Sequence, residues 1–174
     1  ACGCQKICFG VESGSQKILD AANKKITIEE IKLGIALAKK VGIRVKTFWI
    51  VGLPGDMNEQ MKSLELMLDT RPNDISIHQL IPFPGTIYYE EPEKYGIKIN
   101  DKKDFVSFCY GGLKDNFQLE YMSLDEFVIL MNTFLVKLEE AGYLSSDVAT
   151  PYDDYIYSLP ISKKSITVFS EKGD

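Results

Sequence analysis

Residues 43–56, IRVKTFWIVGLPGD, decide how this chain is read. Ile43–Gly52 is rich in β-branched and aromatic residues and predicts a strand, which runs straight into the turn Leu53-Pro54-Gly55-Asp56. Upstream, Thr27-Ile28-Glu29-Glu30 is a capping box, because Thr27 can accept from the Glu30 amide while Glu30 reaches back. The helix it opens is expected to place Ile31, Ile35, Ala38 and Val41 on one face and to stop at Gly42 after Lys39-Lys40. Further back, Lys6–Val11 reads as a strand, Glu12-Ser13-Gly14-Ser15 as a polar turn, and Ser15 as the cap of a short helix through Ala22. Downstream, a helix fits Asn58–Leu68, with Met61, Leu64, Glu65 and Leu68 at helical spacing. Asp74–Ile81 follows as a third strand, ending in Pro82-Phe83-Pro84-Gly85-Thr86. Strands alternating with helices at this pitch indicate βαβ units, a parallel sheet and right-handed crossovers.

After Glu90 the pattern breaks, and residues 91–122 show no clear period. Ser123–Ala141 is a strong helix, opened by the capping box Ser123-Leu124-Asp125-Glu126 and stopped by Gly142. The tail from Ser145, with Tyr152, Tyr155 and Tyr157, is expected to be irregular and to pack as an extended arm. An apolar run begins at Ile7 with almost no lead-in, which reads as a chain cut from something longer.

The chain has 174 residues, 45% of them hydrophobic, enough for one domain with a buried core. Its 20 Lys and Arg against 25 Asp and Glu give net −5, and the KK pairs at 24–25, 39–40, 102–103 and 163–164 are scattered. That surface argues against nucleic acid as a partner, since such binding needs clustered cations. No apolar run reaches the length of a membrane span, and the first residues lack the order of a signal peptide. The expected location is cytoplasmic.

Ligands of parallel β/α folds gather at the C-terminal ends of strands. Three glycine-bearing segments lie there: Gly10–Ser15, Gly52–Asp56 and Pro82–Thr86. Glu12, Ser13 and Ser15 offer a carboxylate and two hydroxyls, suited to sugar hydroxyls or an ammonium group. Lys24, one loop later, can meet a ligand carboxylate as a point charge. Each segment alone reads first as an ordinary turn at a strand end.

Taken in order, GVESGSxxxLxxxNK, GIxVxxFxIxGLPGD and PFPGTxxYE resemble the radical S-adenosylmethionine (SAM) superfamily over residues 3–96. The likeness is to the branch of oxidative cyclases, cobalamin-dependent methylases and methylthiotransferases. It implies an α/β partial (β/α) barrel: three parallel β/α units, strands four to six of the family's barrel, plus a C-terminal helix and irregular tail. Residues 1–96 would be the C-terminal half of the barrel, and 97–174 a helical extension and tail packing on it. The resemblance places Glu12 and Ser13 at the end of the fourth strand against SAM ribose or amino groups, with Ser15 assisting. Lys24 would face the methionine carboxylate, Ile50 and Gly52 would hold adenine, and Leu80, Ile81 and Pro82 would border it. His78 and Gln79 point to opposite faces of their strand, so one of them could face the barrel interior; for His78 a structural role is the expectation.

The family's [4Fe–4S] cluster, held by C-x3-C-x2-C, reductively cleaves SAM to a 5′-deoxyadenosyl radical or supports methyl-type transfer. Here Cys4 and Cys8 fit the first two positions, but the third falls on Val11, and both lie at the approach to a strand. With Cys2 they are expected to be small apolar residues near a strand, and Cys109 stands apart. No metal ligands are therefore assigned. SAM and the cluster would serve the full-length parent, and this branch also allows a cobalamin domain ahead of the barrel. The expected partners are SAM, the missing N-terminal half of the barrel, and a second copy through the open sheet edge. The fragment alone is expected to be inactive, with the helix over 123–141 and the tail covering surface the missing half would bury. Two other readings stay open: a non-catalytic half-barrel binding or scaffold module, and an ordinary β/α-barrel enzyme using Lys46, which is read as lying at the start of its strand, away from the active face. Aromatics at Phe105–Tyr110 and Tyr121 fit either a substrate mouth or core packing.

Overall fold

A computed structural model describes residues 3–104, 116–144 and 147–149. Cys2, Cys109, the aromatics of 105–110 and the tyrosines of the tail lie outside the described residues. Strand β1 (Lys6–Glu12) leads to the short helix α1 (Gln16–Ala21), then α2 (Ile28–Lys40), β2 (Arg44–Val51), α3 (Met57–Thr70) and β3 (Asp74–Gln79). Beyond these come a single-turn α4 (Ile87–Glu90), a 3-10 turn (Pro92–Tyr95), β4 (Ile97–Ile99), β5 (Phe117–Leu119), α5 (Leu124–Glu140) and β6 (Val148–Ala149).

The main sheet has the order β1-β2-β3-β6, every pair parallel, while β4 and β5 form a separate antiparallel pair. Two differences from the sequence reading stand out. Residues 97–99 and 117–119 are strands, too short at three residues each to show a period. The tail also begins with order: Val148 and Ala149 pair with Ile75 and Ser76, so β3 has neighbours on both sides.

Local chemistry explains the helices. Thr27 and Ser123 both close complete capping boxes, and Asp56 caps α3 through the Glu59 amide. Lys39 places its ammonium 3.0 Å from the Thr70 carbonyl and 2.6 Å from that of Arg71, a cation on the exposed carbonyls that end α3. Helix α5 lies against α3, and Phe134 and Leu138 join Ile75, Ile77 and Met67 in the core. It therefore covers the helical side of the sheet at β3, not the open edge at β1.

Two helix faces differ from expectation. Val41, placed on the buried face of α2, is 69% exposed, because the helix stops at Lys40 and Val41 already turns out of register with Ile31, Ile35 and Ala38. The buried face of α3 is Gln60, Ser63, Leu64, Leu66 and Met67, with Glu65 exposed and Met61 and Leu68 half-buried. That rotation brings two polar side chains inside, where they bond to loops.

Strand alternation then sorts the two faces of the sheet. Val11, Val45, Trp49, Val51, Ile75 and Ile77 are buried towards the helices. Cys8, Gly10, Lys46, Phe48, Ser76 and His78 occupy the opposite face, which no described helix covers.

Candidate functional site

At the end of β1 the chain departs from a regular strand. The register with β2 shifts between Gly10 and Glu12, and Glu12 adopts φ +69°. Ser13 donates its amide to the Val11 carbonyl at 2.9 Å, closing a three-residue γ-turn on a non-glycine residue with positive φ. Such strain persists only where surrounding bonds hold it, and it concentrates at functional sites. The turn folds the Glu12 carboxylate back over Gly10, where a Cβ would stand 2.6 Å from Glu12 Oε1. Lys24, brought in by the loop after α1, puts Nζ 3.0 Å from the same oxygen. The two charged residues assigned to a ligand are thus brought together, both partly exposed.

The serines are held differently. Ser13 and Ser15 are buried. Ser13 Oγ accepts the Ser15 amide at 3.1 Å. Ser15 Oγ accepts the Ile18 amide as the α1 cap and donates to Glu59 Oε2. Ser15 and then Lys62 hold the Glu59 carboxyl below its ordinary range. Gly14 donates to Ser63 Oγ at 2.9 Å. The 12–15 turn is therefore latched onto α3 by Glu59 and Ser63, residues the sequence reading did not single out.

At the end of β2, Ile50 is half-buried beside Phe48 and His78 on the open side. Gly52 has φ +89°, donates its amide to Gln60 Oε1 at 3.2 Å and gives its carbonyl to Tyr121 Oη at 2.9 Å. Gln60 Nε2 adds a 2.6 Å bond to the Leu53 carbonyl. The polar groups of Gly52 are thus engaged by the protein itself. Tyr121 serves this bond and the core, with its phenol held well above the ordinary range by burial. At the end of β3, Ile81 is half-buried, Pro82 is buried, and Leu80 donates to the Val51 carbonyl at 2.8 Å. The signal for Gln60 and Ser63 was present as polar residues on an amphipathic helix, but their face follows only from the packed structure.

His78 and Gln79 do point opposite ways. Gln79 is buried towards the helices, and its Nε2 has no partner among the described residues. His78 stands on the open face, its ring stacked on Phe48 at 6.1 Å and its Nε2 3.0 Å from Ser76 Oγ. Burial, then Lys46, lowers its pKa below the ordinary value, with Glu12 opposing. Lys46 lies near the start of its strand yet on this same face.

Cys4 and Cys8 are exposed rather than packed, and Cys4 Sγ lies 3.5 Å from the Lys6 carbonyl. The reason is position: Cys8 is on the uncovered face of β1. Among the described residues no three His, Cys, Asp or Glu stand together as a metal site would require. These cysteines do not fit a three-thiolate cluster. A groove of about 390 Å³ between α2 and α3, lined by Lys32, Ile35 and Asp69, lies on the helical side, away from the strand ends.

Residues 1–67 match the pattern of the radical SAM superfamily. The chain is 31% identical to an uncharacterized methyltransferase of Pyrococcus horikoshii over 91 residues, 51% of this chain and 19% of that protein. It is 29% identical to the anaerobic magnesium-protoporphyrin IX monomethyl ester cyclase of Rubrivivax gelatinosus over 103 residues, 58% of this chain and 19% of the cyclase. In fold it is similar to Elp3 of Methanocaldococcus infernus, with TM-score 0.57 and 19% identity over 86% of this chain and 30% of that one. The matches thus span about a fifth of these curated relatives. No helix among the described residues is long and apolar enough to cross a membrane.

Proposed function

We propose that this chain, whose residues 1–67 match the radical SAM superfamily, belongs to that family and supplies part of the SAM-binding wall of a larger enzyme. The observation that carries the reading is the Glu12–Lys24 ion pair, folded over Gly10 by a strained turn at a strand end. A carboxylate and an ammonium side by side complement the ammonium and carboxylate of an amino-acid group, so the donor set fits the methionine moiety of SAM. Ser13 and Ser15 shape the turn, Ile50 offers an apolar wall for adenine, and Gly52, Ile81 and Pro82 border it. Bound SAM supplies the family's radical or methyl-type chemistry. The part of these residues is to orient it and exclude water.

The partial-barrel reading assigns residues 1–96 to strands four to six and their helices, and 97–174 to an extension packed on them. The cluster would be held by a part of the parent outside this chain, since the cysteines here do not fit it. The chain alone is then inactive. A cobalamin domain in the parent remains compatible with the branch. The open edge of β1, which pairs only with β2 among the described residues, favours a binding or scaffold role as the second reading.

The test uses the full-length protein, reconstituted anaerobically with iron and sulfide. SAM titration should show Lys24→Met and Glu12→Gln each weakening binding about tenfold, the scale of one charge-assisted contact. Unchanged affinity in both variants would remove the SAM-wall reading. Failure of the full-length protein to take up iron would leave the scaffold reading.

A further inference from the structure

The open face of the sheet carries three cations in its lower half, and they are not alike. Lys6 Nζ lies 2.8 Å from Asp74, and Arg44 engages both oxygens of the same carboxylate at 3.0 and 2.6 Å. Lys46 is in register with Asp74, yet forms no ion pair with any described carboxylate. Its ammonium stands instead 5.0 Å from the centre of the Phe48 ring, a weaker partner than an anion.

The same ring stacks on His78, the single histidine of the chain. Ser76 occupies Nε2, and Nδ1 makes no hydrogen bond to a described residue. With the serine hydroxyl donating to Nε2, the neutral ring carries its proton on Nδ1, which is then a hydrogen-bond donor. Among the described residues an unpaired ammonium and, in that tautomer, an imidazole N–H share one half-buried aromatic neighbour, a combination that suits an anion. One fixed positive charge, with the Glu12 carboxylate not far off, suits a single negative charge better than a phosphate dianion.

We propose that Lys46 and His78, set around Phe48 on the open face of the sheet, bind a ligand carboxylate. Assigning that carboxylate to the substrate rests on the strand ends being the SAM wall; the site itself does not.

The lone histidine makes the test direct. The Cε1–H resonance of His78 is followed by NMR while the 174-residue chain is titrated with benzoate and, separately, with the neutral benzamide. The expected result is a saturable benzoate shift that benzamide does not reproduce. Lys46→Met should weaken benzoate about tenfold, and by more than Lys24→Met does. The fold of each variant is checked on the indole resonance of buried Trp49. A benzoate response no larger than that of benzamide overturns the proposal. So does equal binding by the Lys46→Met protein, or loss in Lys24→Met alone, which would move the carboxylate to the end of β1. Because SAM binding is read with Glu12 and Lys24 variants and benzoate binding with Lys46, the two readings fail separately.

Discussion

Gly14 leaves no room for another side chain, since a Cβ there would lie 2.1 Å from the Lys62 carbonyl oxygen on the backbone of α3. Backbone cannot swing aside as a long side chain can, so Gly14→Ala should cost about 3 kcal/mol or more, read as a lower urea midpoint. His78 offers a second test at this scale. Its pKa lies below the ordinary 6.5 because burial and then the Lys46 charge disfavour the cation, while Glu12 favours it. Lys46→Met should therefore raise the His78 pKa and Glu12→Gln should lower it, both measurable by NMR titration. The sign for stability follows: the unfolded imidazole takes up a proton first, so stability falls as pH drops from about 6.5 towards the folded value. Residue types at the strand ends are legible from sequence, whereas their pairings are not. Nothing in the spacing of Glu12 and Lys24 says that a γ-turn will bring their charges to 3.0 Å.

Between elements, Asp74 ties the first three strands together at their starts, binding Lys6 of β1 and Arg44 of β2 from its own place on β3. Arg44, and secondarily Lys6, hold its carboxyl far below the ordinary carboxylate range. That stabilisation is present above about pH 4 and is lost as pH falls through the folded value. Asp74→Asn should cost about 1 kcal/mol at pH 7, a modest figure because Arg44 and Lys6 remain partly exposed. The variant should also unfold less steeply in acid, as followed by circular dichroism. The three long helices and first three strands are legible in the sequence, since capping boxes and apolar periodicity are local. The β4–β5 pair and the β6 addition are not, because pairing across distant residues leaves no mark in a three-residue run.

At the scale of the molecule, the regions left uncovered by the described residues meet on one side. Strand β1 has one sheet neighbour among the described residues, and α2, which follows it, exposes Leu33, Leu37 and Val41 at 59%, 54% and 69%. Spaced four apart, these three form one stripe, on the flank away from α3, to which α2 turns Lys32 and Lys39. An apolar stripe beside an open strand invites association. The 174-residue chain should therefore self-associate with rising concentration, and Leu33→Lys with Leu37→Lys should restore the monomer in sedimentation experiments. The sequence places α5 plainly, but only packing shows it beside α3.

The Glu12–Lys24 pair also carries a consequence for ionic strength. Each charge already neutralises the other at 3.0 Å, so the end of β1 shows almost no net field to mobile ions. A zwitterionic group that exchanges into the pair leaves the charge count the same, and salt should act alike on free and bound states. Its affinity should hold nearly constant between about 0.05 and 0.5 M salt in calorimetry. A carboxylate at uncompensated Lys46 should instead weaken across the same range.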